Sequence, residues 1–361
     1  MKLFKVTFLF IFCFESNLFS QSKLKVGIDG LSHDHIGQVL NSNKRGDIEI
    51  VGIAEPNKTM AYKYLKKYNL PESLWFSSLE EMVNKTKPEA VCAFNSIAEH
   101  VNTVEVCAPK GIHVMVEKPL ATTLKDAKKM ADLAKTNNIF LLTNYETTWY
   151  SSHRKALEIL KTNPDIGKIH KLVIRDGHRG PKEIGCTNEF LAWLTDPIKN
   201  GGGAVIDFGC YGANLSTWFL NGQRPLSVSA ILKQLKPDVY PKVDDEAIII
   251  LNYANATAIL EASWNWPLDR KDTEIYTQSA SFFANKNELK VKKGGRFASE
   301  ENIQLDPIPS PEQDSFLYFT AVVRGLINPA NSLSSIENNV LVVEILEKAI
   351  QSAKEGKVIK F

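Results

Sequence analysis

The fold of this chain is decided by the stretch Gly111-Ile112-His113-Val114-Met115-Val116-Glu117-Lys118-Pro119. Its apolar residues predict a buried strand, and the Glu-Lys-Pro run ends that strand. The Lys118 side chain is therefore expected at the carboxyl end of a strand, which is where open α/β sheets bind their ligands. Strand, turn and helix alternate on both sides of this stretch, and this alternation predicts a doubly wound parallel sheet with right-handed crossovers.

The predicted pattern of strands and helices changes after about residue 150. In the first part, strands are predicted at 24–29, 48–54, 90–94, 111–116 and 139–143, and helices at 36–42, 58–68, 99–108 and 124–137. In the second part, extended stretches lie near 168–176, 226–236, 245–252 and 256–265, and helices are predicted at 153–162, 314–326 and 336–355. Consecutive strands with few intervening helices predict a second domain built on a mainly antiparallel sheet.

Composition narrows the possible classes of protein. The 361 residues are long enough for two domains with cores of their own. A formal charge of +2 and the absence of a long basic run give no support to nucleic-acid binding. Beyond Cys13, the remaining cysteines form no CxxC pair and do not predict a disulfide framework.

The N-terminus has the pattern of a secretory signal peptide. Lys2 and Lys5 precede the apolar run Val6–Phe14, and a predicted cleavage site with a small residue follows near Ser20-Gln21. The run is too short to span a bilayer. We therefore predict a cleaved signal peptide at residues 1–21 and a periplasmic or secreted protein without a stable membrane span; a buried first strand is the alternative.

A second run carries acid/base residues. The triplet Gly201-Gly202-Gly203 precedes Asp207 and Tyr211, which are four residues apart and share one face if the segment is helical. A phenol near a lysine ammonium is shifted toward the phenolate, so Lys118 could activate Tyr211 to take a proton from an alcohol while a hydride leaves its carbon. Asp207 would orient the pair or bind a second hydroxyl. The alternative for Tyr211 is a buried structural role.

The turn after the first strand resembles a dinucleotide-binding turn with two glycines replaced. Gly30 stands at the first glycine position, while Ser32 and His35 stand at the second and third. Glu55, about 25 residues after Gly30, suits a ribose 2′-hydroxyl and favours NAD, although Lys58 nearby leaves NADP possible. The predicted cofactor-binding residues of this region are Gly30, Leu31, Ser32, His33, His35, Ile36 and Glu55.

Alternate histidines can also chelate a metal. His33 and His35 have no further ligands in view along the sequence, so we expect them to contact the cofactor or solvent and predict no metal site.

Two polar and aromatic runs are candidates for the substrate side of the cleft. Tyr145 and Trp149 follow the last strand of the first domain, and Asp176, His178 and Arg179 follow the first strand of the second. These residue types suit a polyol through ring stacking and multiple hydrogen bonds, whereas a role at the domain interface is the alternative. Trp264 is expected in the core or at an interface.

Taken together, these motifs resemble the glucose–fructose oxidoreductase/inositol dehydrogenase/MocA (Gfo/Idh/MocA) family. The resemblance rests on the Glu-Lys-Pro run, the triglycine with its Asp207-Phe208-Gly209 sequel, Trp193, and Ala54-Glu55-Pro56-Asn57. It implies an N-terminal Rossmann domain and a C-terminal α+β domain with an open-faced sheet, with nicotinamide between them. It also implies that Asn95, His100, Glu117 and Lys118 line the cofactor site, and that copies of the chain pair through the open-faced sheet. Tyr211 stands where many members have histidine.

These expectations define the domains and the function. The domains are residues 22–146 for NAD(P) binding, 147–335 for the substrate, and 336–361 as a C-terminal helix packing back toward the first domain. The expected function is oxidation or reduction of a sugar, glycoside or polyol hydroxyl. Because a periplasm holds no free nicotinamide pool, the cofactor is expected to be tightly bound and regenerated in a closed cycle. An NAD-dependent glycoside hydrolase and a non-catalytic sugar-binding protein are the alternatives.

Overall fold

The computed structural model describes residues 22–361. The predicted signal peptide at residues 1–21 therefore lies outside the described residues. Within residues 22–361, no helix has both the length and the apolar content that a membrane span requires.

The first domain is a six-stranded parallel sheet in the order β3-β2-β1-β4-β5-β6. Its strands are β1 Leu24–Asp29, β2 Ile48–Ala54, β3 Trp75–Phe76, β4 Ala90–Ala93, β5 His113–Glu117 and β6 Leu141–Asn144. Its helices are α1 Ile36–Arg45, α2 Lys58–Lys67, α3 Leu79–Thr86, α4 His100–Cys107 and α5 Leu124–Thr136. The predicted doubly wound sheet is confirmed, and the sequence analysis missed only β3 and α3 in this domain.

The central strands read as continuous apolar runs because helices cover both faces of the sheet. All four residues of β4 are buried, and so are the last four of β5. Helix starts are set by side-chain caps: Asn57 accepts from the Met60 amide at the start of α2, and Thr123 accepts from the Asp126 amide at the start of α5. These caps fix where each strand-to-helix turn opens at the carboxyl edge of the sheet.

The second domain is built on a nine-stranded sheet in the order β14-β13-β12-β11-β7-β10-β9-β8-β15. Its strands are β7 Ile169–Gly177, β8 Ser227–Lys233, β9 Glu246–Asn252, β10 Thr257–Ser263, β11 Arg270–Thr277, β12 Ala280–Asn285, β13 Leu289–Lys293, β14 Glu300–Asn302 and β15 Ile359–Lys360. Its helices are α6 Ser151–Thr162, α7 Asn188–Leu194, α8 Ala204–Asp207, α9 Gly209–Phe219 and α11 Ile336–Glu355, whereas α10 Ser315–Val323 packs against β2 in the core of the first domain. Among the described strands of this second sheet, only β7 and β10 pair in parallel, so the predicted mainly antiparallel sheet is confirmed.

One face of this sheet is covered by helices and the other is open. Helix α9 packs against β7 and β10, and α11 packs against β8. On the uncovered face, Ile231, Ile248 and Ile250 of β8 and β9 are exposed. Helix α11 also packs against α5 of the first domain, so it contacts both domains.

The triglycine before α8 is required by the close approach of a neighbouring loop. The Asp244 carboxylate accepts from the backbone amides of Gly203 and Val205 at 2.8 and 2.7 Å, and the Asp244 carbonyl accepts from the Ala204 amide. A Cβ atom on Gly203 would lie 1.7 Å from that carbonyl oxygen. Gly203 is therefore needed to hold the start of α8 against the sheet.

We expect Gly203→Ala to lower the free energy of unfolding by about 3 kcal/mol, because the added methyl group overlaps backbone atoms that cannot move aside. Chemical unfolding of the mature protein measures this. Gly295→Ala is the matched control, since a Cβ atom there meets nothing within 4 Å. Equal stability of the two variants would contradict the role given to Gly203.

Candidate active site

The carboxyl edge of the parallel sheet faces the start of α8 and α9, and a cavity of about 1020 Å³ lies between them. Six of the predicted site residues line it: His33, His35, Lys118, His178, Asp207 and Tyr211. The structure therefore brings together the Glu-Lys-Pro run of the first domain and the triglycine helix of the second, as the spacing of the motifs predicts.

Lys118 and Asp207 form a buried ion pair across the two domains. The Lys118 ammonium donates to Asp207 Oδ1 at 2.5 Å and to the Asp207 carbonyl at 2.9 Å, and both residues are 5% exposed. Burial alone would raise the pKa of Asp207, but the ammonium outweighs it and holds that pKa at about 2. The same pairing outweighs burial at Lys118 and raises its pKa. Lys118 is therefore an ammonium and Asp207 a carboxylate at neutral pH.

Tyr211 lies beside this pair with its ring buried. The Lys118 ammonium is 5.2 Å from the centroid of the Tyr211 ring. Burial raises the pKa of Tyr211 well above its usual value, and the neighbouring Cys210 and Glu146 add to the effect. The resting form of Tyr211 is therefore the neutral phenol, which is a proton donor, although the sequence analysis expected Lys118 to shift it toward the phenolate.

A second lysine, Lys271, lies beside Tyr211, and the sequence patterns did not predict it. The Lys271 ammonium lies 3.9 Å from the centroid of the Tyr211 ring, and it donates to Glu146 Oε2 at 2.9 Å. Burial would raise the pKa of Glu146, but Lys271 outweighs it and holds that pKa at about 2. Lys271 stands in a charged stretch of β11 that carries no motif, so no signal in the sequence distinguished it from a surface lysine.

Trp264 was expected in the core or at an interface, and it also has a role at the ion pair. Its indole Nε1 donates to Asp207 Oδ2 at 2.9 Å, and its side chain is fully buried. Each carboxylate oxygen of Asp207 thus has a donor of its own, one from Lys118 and one from Trp264. Asp207 is consequently fixed in orientation.

The turn after β1 retains part of a dinucleotide cradle. Gly30 has φ +81°, and a Cβ atom there would lie 2.7 Å from Asn95 Cβ. Glu55 ends β2 as predicted; its Oε2 accepts from the Leu31 amide, and its Oε1 accepts from the Asn57 amide. Leu31 and Ile36 have buried side chains, so these two residues offer only backbone groups to a ligand.

Helix α1 follows this turn and begins only after the His35 position. Helix α1 starts at Ile36, with His35 at the preceding position. The His33 amide donates to the Phe94 carbonyl, and the Asp34 carboxylate accepts from the amide and hydroxyl of Thr187 in the second domain. The turn that carries the two replaced glycines is therefore hydrogen-bonded to the residue after β4 and to the start of α7.

His33, His35 and Glu117 are brought together, with one ligand atom of each within 4.8 Å of the others. His33 Nδ1 accepts from the His35 amide at 3.1 Å, so a neutral His33 carries its proton on Nε2 and has no free lone pair for a metal. His35 Nδ1 contacts Glu117 Oε2 at 3.0 Å. As donor to that carboxylate, His35 keeps a free lone pair on Nε2. This hydrogen-bond pattern disfavours a three-residue metal site.

Two further predicted cofactor residues have unused polar atoms. Asn95 Oδ1 and His100 Nε2 are buried and have no hydrogen-bond partner within residues 22–361. Asn95 Nδ2 donates to Asp29 Oδ2, and His100 Nδ1 contacts the Leu120 carbonyl. With the Gly30 turn, these unsatisfied atoms at the edge between β1, β4 and β5 fit a bound dinucleotide. Ser32 is half-buried in the same turn.

The predicted substrate residues are not all at the cavity. His178 lines it, and its Nδ1 accepts from the Gly180 amide, which leaves a proton on Nε2 of the neutral ring. Tyr145 is fully buried and contacts the Tyr211 ring edge-on. Asp176 is buried, with no partner for Oδ1 among the described residues, and burial raises its pKa well above the usual value.

Trp149 and Arg179, like Tyr145 and Asp176, do not line this cavity. Trp149 donates to Asn144 Oδ1 and packs against Tyr318, and it lines a smaller groove beside α1. Arg179 is exposed to solvent. Both therefore lie outside the set of side chains that surround Lys118 and Tyr211.

Comparison with known proteins identifies both domains. Residues 24–145 match the family model for an oxidoreductase family with an NAD-binding Rossmann fold, and residues 153–283 match the GFO/IDH/MocA C-terminal domain. The trans-1,2-dihydrobenzene-1,2-diol dehydrogenase of Sus scrofa is 22% identical over 224 residues. That match spans 62% of this chain and 62% of the relative's own length.

Solved structures share the fold. An aldose-aldose oxidoreductase from Caulobacter crescentus, complexed with glycerol, aligns over 94% of this chain and 100% of its own with a TM-score of 0.78 and 18% identity. An inositol dehydrogenase homolog from Azotobacter vinelandii, complexed with NAD+, aligns over 94% and 97% with a TM-score of 0.78 and 17% identity. At this identity the likeness establishes the fold.

We expect Asp207→Asn to lower the free energy of unfolding by roughly 3–5 kcal/mol, because it leaves the Lys118 ammonium buried without a countercharge. Asp207 has a depressed pKa in the folded state, so its contribution is complete above the ordinary value of 3.8 and is lost as pH falls toward about 2. Urea unfolding at a series of pH values measures both effects.

Asp238→Asn is the control for this prediction, since Asp238 is exposed; its change should stay within about 0.5 kcal/mol. The Asp207→Asn variant should also lose the part of the acid dependence that the parent shows below pH 4. An unchanged acid dependence would contradict the coupling between Lys118 and Asp207.

Proposed function

The chain belongs to the Gfo/Idh/MocA oxidoreductase family, with an NAD-binding Rossmann domain, and on that premise we propose that it is an exported oxidoreductase acting on a sugar, glycoside or polyol hydroxyl. Hydride would pass between the substrate carbon and a tightly bound NAD, with NADP as the alternative cofactor. Tyr211 would be the acid/base and Lys118 its partner.

One observation carries this proposal. The Lys118 ammonium and the Tyr211 ring meet at the cavity at the carboxyl end of β5, with Lys118 held there by Asp207. Both groups are proton donors in their resting states. We infer that both groups donate to one substrate oxygen, an arrangement that would suit the polarisation of a carbonyl and the return of a proton to it.

The residues of this chain would divide the work as follows. Lys118 would hold the reacting oxygen, and Tyr211 would give it a proton in the direction of reduction and take one back in the direction of oxidation. Gly30, Glu55, Asn95 and His100 would hold the dinucleotide, which supplies or accepts the hydride. Closure of the two domains around the buried Lys118–Asp207 pair would exclude water from the reacting carbon.

The class of substrate is argued from the lining of the cavity. His178 presents an Nε2 proton donor, and Asn285 and Asn287 add amide groups that can both donate and accept. Phe190 and Phe208 add apolar faces. Neutral donors and acceptors mixed with ring faces suit a compound with several hydroxyl groups. The aldose-aldose oxidoreductase among the structural neighbours is in keeping with this substrate class.

Export is the reason to expect a retained cofactor. The signal-peptide pattern at residues 1–21 would direct the chain to a compartment without a free nicotinamide pool, where a cofactor that dissociated could not be recycled. A closed cycle, with one sugar oxidised and another reduced, would solve this. Homo-oligomerisation through the open sheet face, where Ile231, Ile248 and Ile250 are exposed, also belongs to this proposal.

A redox-assisted glycoside hydrolase is the second candidate, and one observation favours it. His35 lines the same cavity, and its hydrogen bond to the buried Glu117 carboxylate leaves Nε2 free to act as a base. Elimination next to a transient carbonyl needs such a base for the neighbouring carbon. Cleavage of a glycoside without net formation of NADH would select this reaction.

We expect the purified mature protein to release a nicotinamide dinucleotide when it is denatured, and liquid chromatography of the supernatant detects it. Lys118→Met and Tyr211→Phe should each keep the cofactor but lower turnover by about 10²–10⁴-fold, because a positioned proton-transfer group is lost. The controls are Lys110→Met and Tyr276→Phe, at exposed positions. Absence of cofactor, with no binding on addition, would leave the sugar-binding alternative.

We expect full-length protein expressed in a Gram-negative host to be recovered from the periplasm with its N-terminus near Gln21. Phe10→Arg should keep the protein in the cytoplasm with residues 1–21 attached, because a charge interrupts the apolar run. Cell fractionation and N-terminal sequencing measure both outcomes. A cytoplasmic parent with an intact N-terminus would refute export.

A further inference from the structure

Tyr211 is flanked by positive charge from both domains. The Lys118 ammonium comes from β5 of the first domain and lies 5.2 Å from the ring centroid. The Lys271 ammonium comes from β11 of the second domain and lies 3.9 Å from it. The second distance is the shorter one and is well within cation–π range. Lys271 is thus the cation closest to the ring of the proposed acid/base.

The position of Lys271 is set by the register of the sheet. Lys271 pairs with Asp176 across the antiparallel β11–β7 ladder, so the two side chains project from the same face. Helix α9, which carries Tyr211, packs against β7 on that face. A slip of one residue would direct Lys271 to the open face of the sheet. The strand pairing therefore places the Lys271 ammonium beside Tyr211.

A carboxylate holds the Lys271 side chain in place. Glu146, which follows β6 in the first domain, accepts from Lys271 at 2.9 Å and from the Tyr150 hydroxyl at 2.8 Å. Lys286 also reaches Glu146, at 3.3 Å, but its side chain is mostly exposed. The two lysines share one countercharge, and only Lys271 also lies over the Tyr211 ring.

We propose that Lys271 is a positioning residue for Tyr211: its ammonium fixes the ring and stabilises the phenolate that forms when Tyr211 transfers its proton. This inference rests on the proposed function for its role in turnover, and it goes beyond the Lys118–Tyr211 pair. Buried tyrosines resist ionisation, and a cation over the ring face offsets that resistance in the transition state. Lys118 and Lys271 are each paired with a carboxylate, and Lys271 is distinguished by its shorter distance to the ring centroid, 3.9 Å against 5.2 Å.

The ionisation of Tyr211 can be measured without substrate or cofactor. Tyr211→3,5-difluorotyrosine lowers the intrinsic pKa of the phenol, so that its titration can be followed by ¹⁹F NMR in the full mature chain. The charged and titratable groups that face Tyr211 are Lys118, Lys271, Glu146, Asp176, Asp207 and Cys210. The same titration is repeated in the presence of each lysine substitution.

We expect Lys271→Met to raise the titration midpoint by roughly one pH unit and Lys271→Arg to raise it less, since arginine restores the charge. Lys286→Met is the matched control, because it removes an ammonium from Glu146 without touching Tyr211; its midpoint should match the parent's. The double variant Lys271→Met/Glu146→Gln is compared with Glu146→Gln alone, because Glu146 itself raises the pKa of Tyr211 and its removal lowers the midpoint in both. The midpoint of the double variant should be higher than that of Glu146→Gln, and equal midpoints in these two variants would overturn the proposal.

Turnover gives a second readout. Lys271→Met should lower kcat by roughly 10- to 30-fold and move the rising limb of the pH profile for oxidation to higher pH, with partial rescue in Lys271→Arg. Equal losses in Lys271→Met and Lys286→Met, with no shift of the limb, would contradict the proposal. If the chain proves to lack oxidoreductase activity, the ¹⁹F titration still decides the contact between Lys271 and Tyr211, so the two proposals fail separately.

Discussion

The Lys118–Asp207 ion pair is the interaction on which the rest of the active site depends. Two opposite charges that are 5% exposed are costly to bury, and the cost is offset only when the pairing geometry is good and further hydrogen bonds support it. The structure meets this condition with elements from three places: Lys118 at the end of β5, Asp207 at the end of α8, and Trp264 after β10. The ion pair therefore fixes the position of the two domains relative to each other at the cavity. The triglycine contributes to the same arrangement, because a side chain at position 203 would prevent α8 from starting against Asp244.

A second constraint follows from the side chains that replace glycines in the dinucleotide turn. A glycine at the third position allows a helix to start close to the first strand. His35 stands there, and α1 begins at Ile36. The displaced turn uses its polar groups internally, with Asp34 bonded to Thr187 and His33 packed against Phe190 and Trp193. The cofactor cleft and the substrate domain are thus coupled through this turn, in addition to the ion pair.

Most of the fold and the centre of the site could be predicted from the sequence. The fold was predicted from local signals, namely hydrophobic periodicity and apolar runs. The Glu-Lys-Pro and triglycine motifs are also local, and they predicted that Lys118, Asp207 and Tyr211 lie together. Lys271 and Glu146 could not be found in this way, because their role comes from strand pairing and domain contact, which leave no local pattern. The strands between 270 and 302 were missed for a related reason: their charged residues form ion pairs instead of an apolar alternation. Asp272 and Glu274 of β11 pair with Arg175 of β7, and Arg270 pairs with Asp272 within β11.

Several of the charges that line the cavity are paired with one another, and this pairing bears on the proposed substrate. Lys118 is paired with Asp207, Arg270 with Asp272, and Lys271 with Glu146, which it shares with the more exposed Lys286. An anionic substrate would have to compete with these carboxylates for their cations, and a cationic one would meet ammonium groups that are already in place. A neutral polyhydroxyl compound would displace no ion pair, because the uncharged His178 and Tyr211 donors could serve its hydroxyl groups directly. Under the proposed function, the ion pairs that line the cavity therefore support a neutral sugar as substrate over a sugar acid or an amino sugar.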